Sequence, residues 1–171
     1  MTVPSWFLTI VYWLHMMATV VWVGGLTSLS LLFIPSIKKI LDYQKQAELI
    51  NEIQKKFRPL GWFSLIVLSG TGLIQMSAHP KYGGFLAIDN QWAIAILFKH
   101  GIILILIASM AVINWGILPT MRKIALKQSI GKTIDLEEKL RLEKRERFLT
   151  LLNLGLSIIV LALTAWARSV S

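Results

Sequence analysis

Four long stretches of this chain carry almost no charge: Trp6–Phe33, Leu60–Ser77, Trp92–Leu118 and Phe148–Ala167. Crossing bilayer hydrocarbon takes about 20 apolar residues in a helix. In that medium a backbone must satisfy its own N–H and C=O groups, so segments of this length are helices. The expected fold is all-α, an integral membrane four-helix bundle forming a single membrane domain over residues 1–171. Charged residues make up only 16% of the chain, against about 25% in soluble domains. The first stretch follows MTVPSW, which has no basic segment, and it is too long for a signal-peptide core. It is therefore expected to remain as a helix.

The net charge of +9 comes from 18 Lys/Arg against 9 Asp/Glu. Its placement points to lipid, not to nucleic acid. Lys38, Lys39, Lys45, Lys55, Lys56 and Arg58 lie between the first two stretches. Nine more, from Arg122 to Arg147, lie between the last two. The loop from His79 to Gln91 holds only Lys81, and the tail only Arg168. Basic loops stay on the cytoplasmic side, so both termini and the middle loop are expected outside the inner (cytoplasmic) membrane. Trp6, Trp92 and Trp166 then fall at the outer interface, where indoles are enriched.

The two inner loops show helical patterns. Ile37, Ile40, Leu41, Ala47, Ile50, Ile53 and Phe57 recur at three- and four-residue spacing, with the lysines opposite. This predicts a cytoplasmic amphipathic helix on the inner surface. In the second loop Gly131 breaks the chain and Asp135 is placed to cap, with Glu138 three positions on. Glu137/Arg141 and Glu143/Arg147 are favourable pairs one turn apart. The fourth helix is expected to project into the cytoplasm before entering the membrane.

The chain also matches itself. FIPSIKKI (33–40) aligns with ILPTMRKI (117–124), and SLIVLSGTG (64–72) with SIIVLALTA (157–165). Each pair occupies the same place in its hairpin. The expectation is two pseudo-repeated helical hairpins related by an axis along the membrane normal. The offset of the first match carries His15 onto Lys99, next to His100.

Inside the spans these are the residues that demand an explanation. His15 lies nine residues after Trp6 and His100 eight after Trp92. At a helical rise of 1.5 Å both sit roughly 12–14 Å below the outer interface. Ionisable groups at such depth face a bundle interior or a cofactor. Two imidazoles on facing helices are a common way to hold haem between them. Ala18, Thr19 and Gly25 on the first helix, and Ala93, Ala108 and Ala111 on the third, are expected to leave room for a ring. The second imidazole nitrogen needs an acceptor, expected to be a helix carbonyl one turn back. Propionates would meet Lys81 and Arg168. Lys99 is an alternative axial ligand to His100.

Two other readings of the same residues stand beside haem. One is copper, since imidazole and thioether suit Cu(I): Met16 and Met17 adjoin His15, and Met76 and His79 share one helical face. The other is histidines that only bond between helices. Asn114 and Asn153 are expected to make interhelical bonds. The spans hold no Asp or Glu, which argues against a proton-coupled pump. The absence of cysteine removes thiolate metal sites.

LHMMATVVWVGGL resembles the first helix of the CopD-like copper-resistance membrane domain. It also resembles the haem-containing protoporphyrinogen oxidase of the HemJ type, which has a four-helix plan. FRPLGWFSLIVLSGTGL and FKHGIILILI, followed by ILPTMRK, resemble the second and third helices of the CopD-like group. The likeness covers roughly Trp6 to Lys123. It implies copper handling or a b-type haem, with His15 as the haem ligand of the oxidase family and Lys99 as its helix-three lysine. His100 beside Lys99 departs from that pattern, as does the lack of a Met/His-rich copper segment.

The reading that follows is a membrane protein with one haem b, held by His15 and by His100 or Lys99. Its expected role is one-electron transfer near the outer face, between a quinol and a periplasmic redox protein, as an accessory subunit of a larger membrane complex. Copper uptake or resistance, protoporphyrinogen oxidation and a cofactor-free structural subunit are the alternatives.

Overall fold

A computed structural model of the protein describes residues 3–41 and 43–171, and helix is the only regular structure among them. The first rod joins α1 (Ser5–Thr27), a π-helical segment (Ser28–Phe33) and α2 (Ile34–Ile40). Then come α3 (Tyr43–Ser77), α4 (Gln91–Ala111), a second π segment (Val112–Ile117) and α5 (Leu118–Ser129). The last element is α6 (Leu136–Ser169).

Four spans are long and apolar enough to cross a membrane: Ser5–Ile37, Glu48–Ser77, Gln91–Gln128 and Leu136–Ser169. Within their most apolar windows the protein itself buries only 11% to 22% of the residues. Trp13, Val20, Ile66, Leu104, Trp115 and Ile158 all face outward. An apolar surface this continuous is stable against hydrocarbon and not against water. The chain is a multi-pass membrane protein.

The two π segments have one cause. Pro35 and Pro119 each sit in the first turn of the α-helix that follows. Proline has no N–H, and its ring crowds the carbonyl four residues back. The helix responds by widening just before it. Ile34 N–H bonds the Leu29 carbonyl and Leu118 N–H bonds the Ile113 carbonyl, each five residues back. The segments begin at Ser28 and Val112, the same displacement that separates FIPSIKKI from ILPTMRKI.

By packing, the chain divides into two compact units. One comprises Met1–Leu97 with Trp166–Ser171. Here α1 packs along α3, burying the stripe Val11, Ala18 and Trp22. Met76, Trp92, Ala93, Ala95 and Ala167 form a second apolar cluster near the end of α3. The other unit is Phe98–Ala165. In it Ser109 Oγ on α4 donates to Asn153 Oδ1 on α6, and both residues are buried. Asn153 thus makes the interhelical bond expected of it. Asn114 Nδ2 donates to the Met110 carbonyl of its own helix.

The segment between the first two spans differs from expectation. The periodicity over Ile37–Phe57 predicts one amphipathic helix, but the chain is divided at Leu41, which is extended (φ −104°, ψ 151°). Residues up to Ile40 continue the first rod, and those from Tyr43 are continuous with the second span. The side-chain pattern cannot reveal this break, because the apolar spacing runs on across it. Asp42, Lys38 and Ala47 include backbone or side-chain positions outside those described.

The segment between the last two spans follows its sequence signals. Gly131 has φ +70°. Its N–H bonds the Gln128 carbonyl and the Lys132 N–H bonds the Lys127 carbonyl, a Schellman closure of α5. Asp135 Oδ1 then accepts the Glu137 and Glu138 N–H groups at 2.9 and 3.1 Å, capping α6. Removing such a cap costs about 1 kcal/mol of local helix stability. In Asp135→Ala, hydrogen exchange is expected to quicken over the first turn of α6 while the apolar part of the helix keeps its protection. Unchanged exchange in that turn would show that the cap contributes nothing.

Candidate functional site

His15 lies on the face of α1 that packs on α3, four residues after Val11 and seven before Trp22, both buried. Its Nδ1 is 2.8 Å from Thr71 Oγ1 on α3. Which atom donates follows from the threonine. Thr71 Oγ1 already gives its single proton to the Val67 carbonyl one turn back. The hydroxyl oxygen can then only accept, so His15 carries its proton on Nδ1. In the neutral ring the lone pair is left on Nε2, the nitrogen able to bind a metal.

The expected acceptor, a helix carbonyl one turn back, is thus replaced by a hydroxyl of the neighbouring helix. That carbonyl, Val11 O, instead accepts from Gln75 Nε2 at 3.4 Å. The carbonyl of His15 itself accepts from Thr19 Oγ1 at 2.8 Å. Gly72 closes the site on the third side: a methyl group there would lie 3.5 Å from His15 Cε1. The small residues of α1 are partly spent on packing. Ala18 is buried, and a methyl on Gly25 would touch the Phe57 ring at 3.6 Å.

On α4, Lys99 lies four residues after Ala95 and seven before Leu106, and these are 0% and 3% exposed. It is therefore on the buried stripe of its helix, as His15 is on α1. His100, one residue on, points about 100° away. Both residues are half-buried. Ala93 belongs to the cluster around Met76 and Trp92, whereas Ala108 is exposed.

The pair named for copper is engaged in packing. Met76 is buried in that same cluster. His79 stacks flat on Trp92, with ring centroids 4.1 Å apart and planes 8° from parallel. Its Nδ1 accepts the Lys81 backbone N–H at 3.2 Å, so the ring is neutral with its proton on Nε2. Lys81 Nζ donates to the Val170 carbonyl. Arg168 lies over the Tyr12 ring, 5.6 Å from its centroid. Both cations expected to meet propionates thus also hold protein groups. Among the described residues no three His, Cys, Asp or Glu side chains gather into a metal site. A haem needs only one or two axial donors from the protein.

Reasoning from the sequence missed Thr71 and Gln75. A signal was there for the first, since Thr71 is the matched hydroxyl of SLIVLSGTG and SIIVLALTA. No protein-family model, curated protein or solved structure matches the chain.

Two measurements check this geometry. Thr71→Val keeps the shape and removes the acceptor. Imidazole 15N shifts are expected to show the Nδ1–H tautomer in the parent protein and a loss of that preference in the variant. The accompanying cost is about 1 kcal/mol. A parent ring protonated on Nε2 would refute the assignment.

The second concerns His79, two residues beyond α3. Burial, and secondarily the charge of Lys81, hold its pKa below the ordinary 6.5. As pH falls below 6.5, the unfolded chain takes up this proton before the folded one. The group therefore lowers stability as pH drops from 6.5 through its depressed value, and has no effect above. NMR titration should give a midpoint below 6.5 that rises in Lys81→Met but stays below 6.5. A parent midpoint at or above 6.5 would contradict it.

Proposed function

We propose that the protein is a membrane-bound b-type haem protein that passes single electrons near the outer face of the inner membrane. Of the chain's own residues, His15 would hold the haem iron from one side. His100 would be the second, with Lys99, the counterpart of His15 by sequence offset, as the alternative donor. The observation that carries this reading is the His15–Thr71 bond, which commits the Nδ1 proton and leaves the lone pair on Nε2. Metal-ligating histidines are held in this way by a partner on their other nitrogen.

The rest of the proposal follows the sequence. The two hairpins are pseudo-repeats, the basic segments lie in the cytoplasm, and both termini lie outside. Haem supplies a reversible one-electron couple when bound. The chain orients His15 through Thr71 and keeps Gly72 small beside the ring. Its apolar helices exclude water. A quinol and a periplasmic redox protein are the classes of donor and acceptor, and the likeness of LHMMATVVWVGGL and FKHGIILILI to haem- and copper-linked membrane families is in keeping with this.

The test is a reduced-minus-oxidised absorption spectrum of detergent-purified protein expressed with haem supplied. The parent protein is expected to show a Soret band and a sharp reduced α-band, and His15→Ala to lose both. A parent protein that stays colourless, or that carries copper instead, overturns the proposal. So does a His15→Ala variant with full haem content.

A further inference from the structure

The first rod and α3 lie side by side in opposite directions. Val11 meets Gln75, His15 meets Thr71, and a methyl on Gly25 would lie 3.6 Å from the Phe57 ring. At the height of that last contact α3 becomes charged, with Lys55, Lys56 and Arg58 beside Phe57 in the chain. The first rod does not. From Gly25 it carries no charged residue until Lys38, about 20 Å further along a helix. In this stretch Leu31, Leu32 and Phe33 are 54%, 62% and 47% exposed. Over the same length α3 exposes Lys45, Glu48, Glu52, Lys55 and Lys56. An apolar surface thus stands beside a charged one, which suits neither plain hydrocarbon nor plain water.

A groove runs between the two helices here. Leu29, Phe33 and Ile37 line it from the first rod, and Ile50, Ile53 and Gln54 from α3, around about 170 Å³ of space. Leu29 to Ile37 spans eight residues, about 12 Å. Two exposed lysines stand at the end nearest the turn. Lys39 lies two residues beyond Ile37, and Lys45 five residues before Ile50. Among the described side chains from 39 to 58 the charge is mainly basic: Lys39, Lys45, Lys55, Lys56 and Arg58 against Glu48 and Glu52.

A span longer than the local hydrocarbon is accommodated by tilting or by thickening the leaflet around it. Here only one of two paired rods is over-long. Lipid is therefore drawn out along the first rod while its headgroup meets the lysines. A single amphiphile covers both surfaces: an acyl chain lies on the apolar side, and a phosphate answers the excess of basic charge.

We infer that the groove binds one anionic phospholipid of the leaflet at the basic end of the spans, with an acyl chain along Leu29–Ile37 and the phosphate between Lys39 and Lys45. This site goes beyond the proposed haem function and does not depend on it. A zwitterionic lipid offers the same chain but carries a cation beside its phosphate, so the lysines select the anionic headgroup. Each lysine close to anionic lipid contributes about 5-fold to binding.

The experiment is native mass spectrometry of the full chain in detergent, titrated with phosphatidylglycerol, phosphatidylcholine or oleate. It is paired with photocrosslinking by a phosphatidylglycerol that carries a diazirine on its acyl chain. The parent protein is expected to retain one phosphatidylglycerol in preference to the other two, and to be labelled within residues 29–37 and 50–54. Lys39→Gln and Lys45→Gln should each lower the preference for phosphatidylglycerol over phosphatidylcholine about 5-fold. Ile53→Trp, which fills the groove without changing charge, should remove the labelling. Should it fail to fold, Ile50→Phe is read in the same way, and the two surface lysine variants still decide the headgroup. Equal retention of the two phospholipids, oleate held as firmly as phosphatidylglycerol, or labelling spread evenly over the four spans would overturn the inference. So would a lipid-free dimer, which would show a second copy covering the groove.

Discussion

Hydrocarbon offers no hydrogen-bond partners, so every donor inside these spans must find its acceptor in the chain itself. The hydroxyls solve this locally. Thr19 bonds the His15 carbonyl, Thr27 that of Val23, Thr71 that of Val67, Ser157 that of Asn153 and Thr164 that of Val160, each one turn back on its own helix. This habit is usually described as a mild cost to helix stability. It has a second consequence. A hydroxyl whose single proton is committed to its own backbone becomes a pure acceptor toward the neighbouring helix. Thr71 is such a group, and this one-way polarity settles where the proton of His15 resides.

The same demand for satisfied backbone groups explains the two π segments. A proline in a membrane helix frees a carbonyl one turn back and crowds it with its ring. Widening the preceding turn lets Ile34 and Leu118 reach carbonyls five residues back and continue the rods past Pro35 and Pro119. A π segment also shifts the angular register of everything beyond it. Two segments at the same displacement as the sequence match are what duplicated hairpins would inherit, because the proline and its accommodation travel together. That is the strongest structural support for treating His15 and Lys99 as counterparts.

Much of this architecture is legible in the residues. Four stretches with almost no charge give four membrane-capable helices, and Gly131 and Asp135 mark the end of α5 and the start of α6 through chemistry local to each. The break at Leu41 is not legible. It falls inside an unbroken apolar periodicity, and what decides it is the need to reverse direction between two rods, a tertiary constraint. The site was half legible. His15 stands out as an ionisable group among apolar ones, but its partner is 56 positions away on another helix. Thr71 is unremarkable by itself, since a membrane helix accommodates a threonine easily. Only the pairing of helices, or the repeated Val-x-x-x-Thr pattern, marks it.

His79 shows why the partner matters more than the residue type. It is as much an imidazole as His15, and like His15 it lies near methionine in the sequence. Its Nδ1 lone pair, however, is turned to the Lys81 N–H, its proton sits on Nε2, and one ring face is covered by Trp92. His15 has the opposite tautomer because a hydroxyl, not a backbone N–H, meets its Nδ1. An acceptor at Nδ1 leaves Nε2 with a lone pair, while a donor there leaves it with a proton. Between two histidines of one chain, the character of a single neighbouring group therefore decides which ring nitrogen carries the proton.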